Sequence, residues 1–198
     1  MGDLSVNAAL LISIGCCLFM LFGAYSLSTN TFIAAIFLIV GFWTYSFINK
    51  HFGLLANIWV AVCSSLAFLC GATVYGLTDW VLFAMIVTFF INIGREILLD
   101  ALDQVGDQAV GKPSIPLRFG AIKTFQLVGL LFIMGTIVSG VFVWTYPNTW
   151  LWIVMLLLSL WIPFMMRKAN FHAWALFNVR TSHVFFLLLI VLLFLRPS

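Results

Sequence analysis

The fold is decided by residues 80–107, whose sequence is WVLFAMIVTFFINIGREILLDALDQVGD. The first part of this stretch, 80–99, is almost entirely apolar and has the length of about 20 residues that a helix needs to cross a bilayer core. The remainder carries Asp100, Asp103 and Asp107, three of the six acidic residues in the chain. The stretch therefore predicts a membrane helix that ends in a strongly polar segment.

Apolar windows of similar length recur along the whole chain, and 64% of its residues are hydrophobic against 8% that are charged. No segment shows the alternation of a membrane β-barrel, and lipid leaves helices as the other way to satisfy the backbone. The sequence predicts an all-α, polytopic membrane bundle that forms a single domain over residues 1–198. Besides 80–99, its windows lie at about 7–28, 31–49, 55–77, 120–145, 148–166 and 182–196, seven in all.

The basic residues predict the orientation of this integral, multi-pass protein. Lys and Arg fall in the loops after windows two, four and six, while the opposite side has only Arg196. The positive-inside rule makes the first side cytoplasmic, with the N-terminus inside and the C-terminus outside. The basic residues on that side are Lys50, Lys112, Arg118, Lys123, Arg167, Lys168 and Arg180.

The acidic residues at the end of the fourth window have the spacing of one helical face. Glu96, Asp100, Asp103 and Asp107 follow at intervals of four, three and four residues, and Asn92 lies one turn earlier. Carboxylates that converge in this way repel one another unless a cation lies among them. Oxygen ligands suit Mg²⁺, which commonly keeps water and substrate phosphates in its shell. The spacing predicts a site for magnesium and a diphosphate on the cytoplasmic side.

A simpler interpretation of the same residues is a solvated helix end. The acids would then form ion pairs with the neighbouring basic residues and carry no function. Ionisable groups near a membrane core are costly and often functional, which favours the site. The basic residues in question are Arg95, Lys112 and Arg118.

Two adjoining stretches resemble the second Asp-rich motif of the UbiA prenyltransferase superfamily. They are GREILLDALDQVGD at 94–107 and GKPSIPLRFG at 111–120, which share the spacing D-x-x-D-x-x-G-D, then G-K, then a Pro-x-Arg-x-Gly run. Residues 94–97 are most similar to the geranylgeranylglyceryl phosphate geranylgeranyltransferase branch. Upstream, residues 45–57 resemble the connection between the family's fourth and fifth helices.

The resemblance implies a helical membrane fold in which Mg²⁺ and a polyprenyl diphosphate are held by two Asp-rich motifs. Asp103 and Asp107 would be the principal metal ligands, with Asp100 assisting. The implied partners are a polyprenyl diphosphate such as geranylgeranyl diphosphate, a lipid or aromatic acceptor, and membrane lipids, but no nucleic acid. Lys112, Arg118 and Arg95 would contact the diphosphate, and Asn92, Glu96, Tyr45 and Lys50 would bind substrate or support the site.

The sequence departs from the family pattern at its first motif, N-D-x-x-D-x-x-x-D, which does not occur here. Residues 2–6 look like the segment that follows that motif, so the seven windows match helices three to nine of a nine-helix fold. One hypothesis is a Mg²⁺-dependent transfer of a polyprenyl group. The alternative is a non-catalytic, truncated paralogue that binds prenyl lipids or pairs with a membrane chain supplying the other helices. A transporter is a third possibility, although its coupling-ion site usually lies at mid-membrane.

Overall fold

The computed structural model describes residues 5–145, and every regular element in this part of the chain is an α-helix. The windows predicted at 7–28, 31–49, 55–77, 80–99 and 120–145 each coincide with one of these helices. The predicted windows 148–166 and 182–196 lie outside the described residues. The helices are α1 (Val6–Leu27), α2 (Thr29–Phe52), α3 (Leu54–Tyr75), α4 (Asp79–Leu102), α5 (Gln104–Ala109) and α6 (Ile115–Thr145).

The helices are long and apolar enough to form a membrane bundle. Among the described residues, α1, α3, α4 and most of α6 each satisfy the length and hydropathy of a membrane span, and the apolar part of α2 runs over Thr29–Tyr45. Hydroxyl side chains cap three helix beginnings: Ser5 accepts from Ala8 N, Ser28 from Thr31 N, and Thr78 from Val81 N. These caps satisfy amide groups that a helix leaves free at its N-terminus.

The helices pack largely in chain order, and α4 is the central one. α1 contacts α2, α2 contacts α3, and α4 lies between α3 and α6. More than half of the buried hydrophobic side chains come from α4 and α6, whereas Ala24 is the one buried residue that α1 contributes. α4 is therefore the most extensively packed of the described helices, because α3 and α6 both lie against it.

Two apolar clusters join α4 to α6. In the first, Ile97 and Leu98 pack against Val128 and Phe132. Gly94 makes this approach possible, because a Cβ atom at that position would lie 2.8 Å from the Phe132 ring. The second cluster lies nearer the N-terminal end of α4 and joins Phe83, Ala84 and Val87 to Phe142.

The chain does not continue as one helix through the acidic residues, so the prediction of a single face from Glu96 to Asp107 is wrong at Asp103. α4 ends at Leu102, and Asp103 has φ −103° and ψ 25°. Its amide still donates to Leu99 O at 3.0 Å, and α5 then starts as a separate short helix. A short polar side chain such as Asp favours a helix boundary over a helix interior.

Glycines direct the chain after α5. Gly111 has φ +70° and leads into the Lys112–Ser114 turn before α6. Gly120 has φ 76° and ψ 170°, so α6 is two helical segments that meet at a kink. These positive φ values are available to glycine at little cost. The result is a loop that returns over the C-terminal end of α4.

Candidate functional site

Asp100 is the centre of a buried polar cluster at the C-terminal end of α4. Its Oδ2 accepts a hydrogen bond from Nδ2 of Asn57 on α3 at 2.9 Å, and its Oδ1 accepts one from Nζ of Lys112 at 2.6 Å. The Asp100 carboxylate is therefore held from two sides, by a neutral amide and by a cation. Charge-assisted hydrogen bonds of this kind are among the stronger ones in proteins.

Lys112 also joins Asp107 to the cluster. Its Nζ lies 3.4 Å from Asp107 Oδ1, and the side chains of Lys112 and Asp107 are only 9% and 7% exposed. Burial lowers the pKa of Lys112, but the hydrogen bond to Asp100 and the charges of Asp100 and Asp107 outweigh it, so the pKa is raised above that of an ordinary lysine. One ammonium thus neutralises part of the charge of two buried carboxylates.

Several buried polar atoms at the cluster have no hydrogen-bond partner. Across the described residues, Asp107 Oδ2, Asn57 Oδ1 and Ser114 Oγ are among four such side-chain atoms. Buried oxygens without a partner are uncommon in native proteins and often belong to a site that binds something. The first two belong to residues that already contact Lys112 or Asp100, so the cluster retains unused capacity to accept hydrogen bonds or bind a cation.

The other residues predicted on α4 form a second charged pair one turn away. Arg95 Nη1 donates to Glu96 Oε1 at 2.9 Å, and Glu96 is largely buried. Asn92, one further turn along α4, is also buried. Tyr45 on α2 is within electrostatic range of Glu96, Asp100, Asp107 and Lys112. Of the predicted supporting residues, Glu96 and Tyr45 therefore lie within electrostatic range of the cluster, whereas Asn92 lies about two helical turns before Asp100 on α4.

Asp103 and Arg118 do not join the cluster. Both side chains are exposed, and Asp103 Oδ1 lies beside Gly106 at the start of α5. The predicted convergence of all four acids is therefore limited to Asp100 and Asp107, which share Lys112, while Glu96 pairs with Arg95. The side chain of Lys50 lies outside the part of the chain that the structure describes.

The described side chains do not fit a magnesium site as they are arranged. No group of three His, Cys, Asp or Glu side chains in this part of the chain is close enough to hold a metal ion. The space between Asp100 and Asp107 is taken by the Lys112 ammonium. The ion pairs formed by Arg95 and Lys112 also match the simpler interpretation of the acids.

Asn57 is a member of the cluster that the sequence did not single out as a site residue. It is fully buried on α3 and reaches Asp100 across 43 residues of sequence. An amide in the middle of the apolar run LLANIWVAV is the signal that could have identified it, because buried polar groups in membrane helices usually have a specific partner.

Comparison with known proteins agrees with this architecture of a polytopic helical membrane protein. The model of the UbiA prenyltransferase family matches residues 1–190, and the chain belongs to that family. The chain is also similar to digeranylgeranylglyceryl phosphate synthases from Thermococcus sibiricus and Thermococcus kodakarensis, with 27% and 28% identity over 139 residues. The matched region covers 70% of this chain and 50% of each relative, so the chain spans about half of their length. No solved structure matches the chain significantly.

These findings confirm the resemblance to the UbiA family. The names of the two relatives are consistent with the branch that residues 94–97 resemble. They also confirm an all-α polytopic membrane fold for the described residues. The two apolar windows outside those residues, and hence the number of seven helices, stay predictions. The side of the membrane on which the cluster lies stays a prediction as well.

Proposed function

We propose that this chain binds a polyprenyl diphosphate at the Asp100–Lys112–Asp107 cluster and takes part in transferring its prenyl group to an acceptor within the membrane. The observation that carries the proposal is the buried ammonium of Lys112 beside buried, unpartnered oxygens at the end of an apolar helix bundle. Membership of a prenyltransferase family supports it. The site lies, on this proposal, at the cytoplasmic face.

The diphosphate would meet positive charge from Lys112, with Arg95 and Arg118 as further contacts. A Lys ammonium binds phosphate oxygens as a compact point charge, and Arg can bind them through two parallel hydrogen bonds. The prenyl chain would lie along the apolar helices. The allylic carbon–oxygen bond would break with its electron pair on the diphosphate, whose charge these cations stabilise. The acceptor would attack the allylic carbon and pass the proton that it loses to the departing diphosphate. Apolar walls would keep water from that carbon.

Magnesium belongs to this proposal as an ion that would bind only once the diphosphate is present. Asp103, Asp107 and Asp100 are its proposed ligands, in keeping with the preference of Mg²⁺ for carboxylate, water and phosphate oxygens. When bound, the ion would supply further neutralisation of the leaving diphosphate. The arrangement described above leaves Asp103 exposed and Asp107 with one oxygen that has no hydrogen-bond partner.

The acceptor is proposed to be a lipid. Both relatives are named as digeranylgeranylglyceryl phosphate synthases, which favours a glycerol-based lipid acceptor and a geranylgeranyl donor over an aromatic acceptor.

The test is to incubate membranes containing the chain with Mg²⁺ and labelled geranylgeranyl diphosphate, and to measure binding and product separately. Asp103→Ala and Asp107→Ala are compared with the original chain, and Lys123→Met, an exposed lysine on α6, serves as the matched control. We expect the original chain and the control to bind the diphosphate and both Ala variants to bind it at least about tenfold more weakly.

The two measurements separate the leading function from its alternative. Binding together with labelled lipid product supports a transferase. Binding without product supports the non-catalytic prenyl-lipid protein. A chain that does not bind the diphosphate, and whose binding signal is unchanged by either substitution, overturns the proposed function.

A further inference from the structure

We propose that Lys112 is the resident cation of this pocket, which excludes a divalent cation from between Asp100 and Asp107 until a diphosphate draws the ammonium away. The diphosphate would then bind first and the metal second. The order of binding rests on the proposed function, whereas the exclusion of a divalent cation by Lys112 does not require a diphosphate.

The distances place one positive charge against both carboxylates. Lys112 Nζ is 2.6 Å from Asp100 Oδ1 and 3.4 Å from Asp107 Oδ1. A divalent cation bridging the same two oxygens would have to lie where the ammonium lies. Two cations this close would repel each other strongly in a buried position. The ammonium and the metal are therefore alternative occupants of one position.

Burial strengthens this competition. The side chains of Lys112, Asp100 and Asp107 are at most 9% exposed, so solvent and salt screen their interactions poorly. Without a cation between them, Asp100 and Asp107 would leave two like charges in a poorly hydrated site, which is costly. A cation between the carboxylates therefore stabilises the pocket, and in the ligand-free chain Lys112 is that cation.

The surroundings allow Lys112 to leave without dismantling the pocket. Lys112 lies on the turn between Gly111 and Pro113, outside the helices, and its ammonium is at the end of a flexible side chain. Asp100 keeps its hydrogen bond from Asn57 when Lys112 moves. Asp107 Oδ2 and Asn57 Oδ1 are buried oxygens without a partner, and they would be available to a metal that replaces the ammonium.

A purely structural ion pair makes a different prediction from a resident cation. If the cluster only stabilises the loop, replacing Lys112 with a neutral residue weakens the fold and creates no affinity for metal. If Lys112 occupies a cation position, the same replacement opens that position. Binding of a divalent cation in the absence of any diphosphate is therefore the deciding measurement.

The experiment titrates Mn²⁺ into the purified full chain in detergent and follows free Mn²⁺ by electron paramagnetic resonance. Lys112→Met opens the position, Lys112→Gln does so while keeping a hydrogen-bond donor for the carboxylates, and Lys112→Arg retains the charge. Lys123→Met is the matched control for loss of an exposed lysine. Each protein is titrated alone and with unreactive geranylgeranyl thiodiphosphate, and the analogue in detergent without protein is the blank.

Without the analogue, we expect Lys112→Met and Lys112→Gln to bind Mn²⁺ at least about tenfold more tightly than the original chain, Lys112→Arg and Lys123→Met. With the analogue, the original chain gains the same affinity. If Lys112→Met does not fold, the Gln variant decides. A gain below about threefold in the folded neutral variant overturns the proposal. Failure of the original chain to bind the analogue overturns the proposed function, while the titrations without analogue still decide whether Lys112 excludes the metal.

Discussion

The two ends of α4 lie between the same neighbouring helices and are stabilised in different ways. At the N-terminal end, Phe83 stacks on Phe142 with ring centroids 4.1 Å apart, and Trp80 meets Phe142 edge-on at 4.6 Å. At the C-terminal end, Asp100 is held by Asn57 and Lys112. Close packing of aromatic rings stabilises the N-terminal end, and hydrogen bonds to a carboxylate stabilise the C-terminal end.

The difference matters because lipid is as apolar as the aromatic side chains. Packing Phe142 against α4 exchanges contact with lipid for contact with protein, so the gain is limited to close van der Waals fit. A carboxylate in the same surroundings has no acceptable alternative to its partners. The aromatic end therefore joins the helices by packing, whereas the charged end determines which side chains must come together.

The largest expected effect is that of removing the cation from the charged end. Lys112→Met leaves Asp100 and Asp107 buried without it and should lower the free energy of unfolding by about 3–5 kcal/mol. The measurement is SDS-induced unfolding in mixed micelles, with Lys123→Met as the control that should stay within about 0.5 kcal/mol. Adding Asp100→Asn to Lys112→Met should recover part of the loss. A stable Lys112→Met would mean that the charges contribute little.

A pair of glycine substitutions compares the turns near the two ends. Gly53, with φ +40°, lies so close to the loop that a Cβ atom would overlap the Pro113 carbonyl oxygen; Gly76, with φ +87°, has open space. Gly76→Ala should cost about 1–3 kcal/mol of unfolding free energy, because φ 87° and ψ 157° lie in a region that only glycine adopts readily. Gly53→Ala should cost more and also weaken diphosphate binding, because the Pro113 loop must move.

Equal losses from Gly53→Ala and Gly76→Ala, with unchanged diphosphate binding, would contradict the role given to the Gly53–Pro113 contact. The same unfolding assay and the labelled-diphosphate binding assay provide both measurements. Gly76 is a suitable control because it shares the positive φ and lacks the close contact.

At the aromatic end, Phe142→Ala removes a buried ring that contacts Phe83 and Trp80. Buried Phe→Ala changes cost about 3–5 kcal/mol in water-soluble proteins, and the loss here should be smaller because lipid can solvate the remaining apolar surface. Diphosphate affinity should not change. Phe37→Ala, at a side chain that is 73% exposed, is the control and should leave both quantities unaltered. A loss of diphosphate affinity in Phe142→Ala would show that the two ends are coupled.

The smallest expected effect on stability is that of Asp103→Asn. Asp103 is exposed, so the free energy of unfolding should change by no more than about 0.5 kcal/mol. Its contrast is Asp107→Asn, which weakens a buried ion pair with Lys112 and should lower stability. If Asp103 is a metal ligand, as proposed, Mg²⁺-dependent diphosphate binding should fall in both variants although only one is destabilised. Unchanged binding in Asp103→Asn would remove it from the proposed ligands.

Prediction from the sequence succeeded where the property was local. Five apolar windows coincide with helices because hydropathy over about 20 residues reports directly on membrane insertion. It failed at Asp103, because counting residues at helical spacing assumes that the helix continues. Asp103, whose backbone angles depart from those of a helix, is exposed, whereas Asp100 and Asp107 are buried.

Composition and motif spacing were sufficient to establish the helical membrane class, the family and the segment that carries the charges. Three-dimensional packing was needed to learn that Asp100 and Asp107 are buried around Lys112, that Asp103 is exposed and that Asn57 contributes from α3. The physical reason is the separation along the sequence of the residues that determine each property. Hydrophobicity and motif spacing depend on residues that are close together in the sequence. The partner of a buried charge depends on which distant helix or loop packs against it.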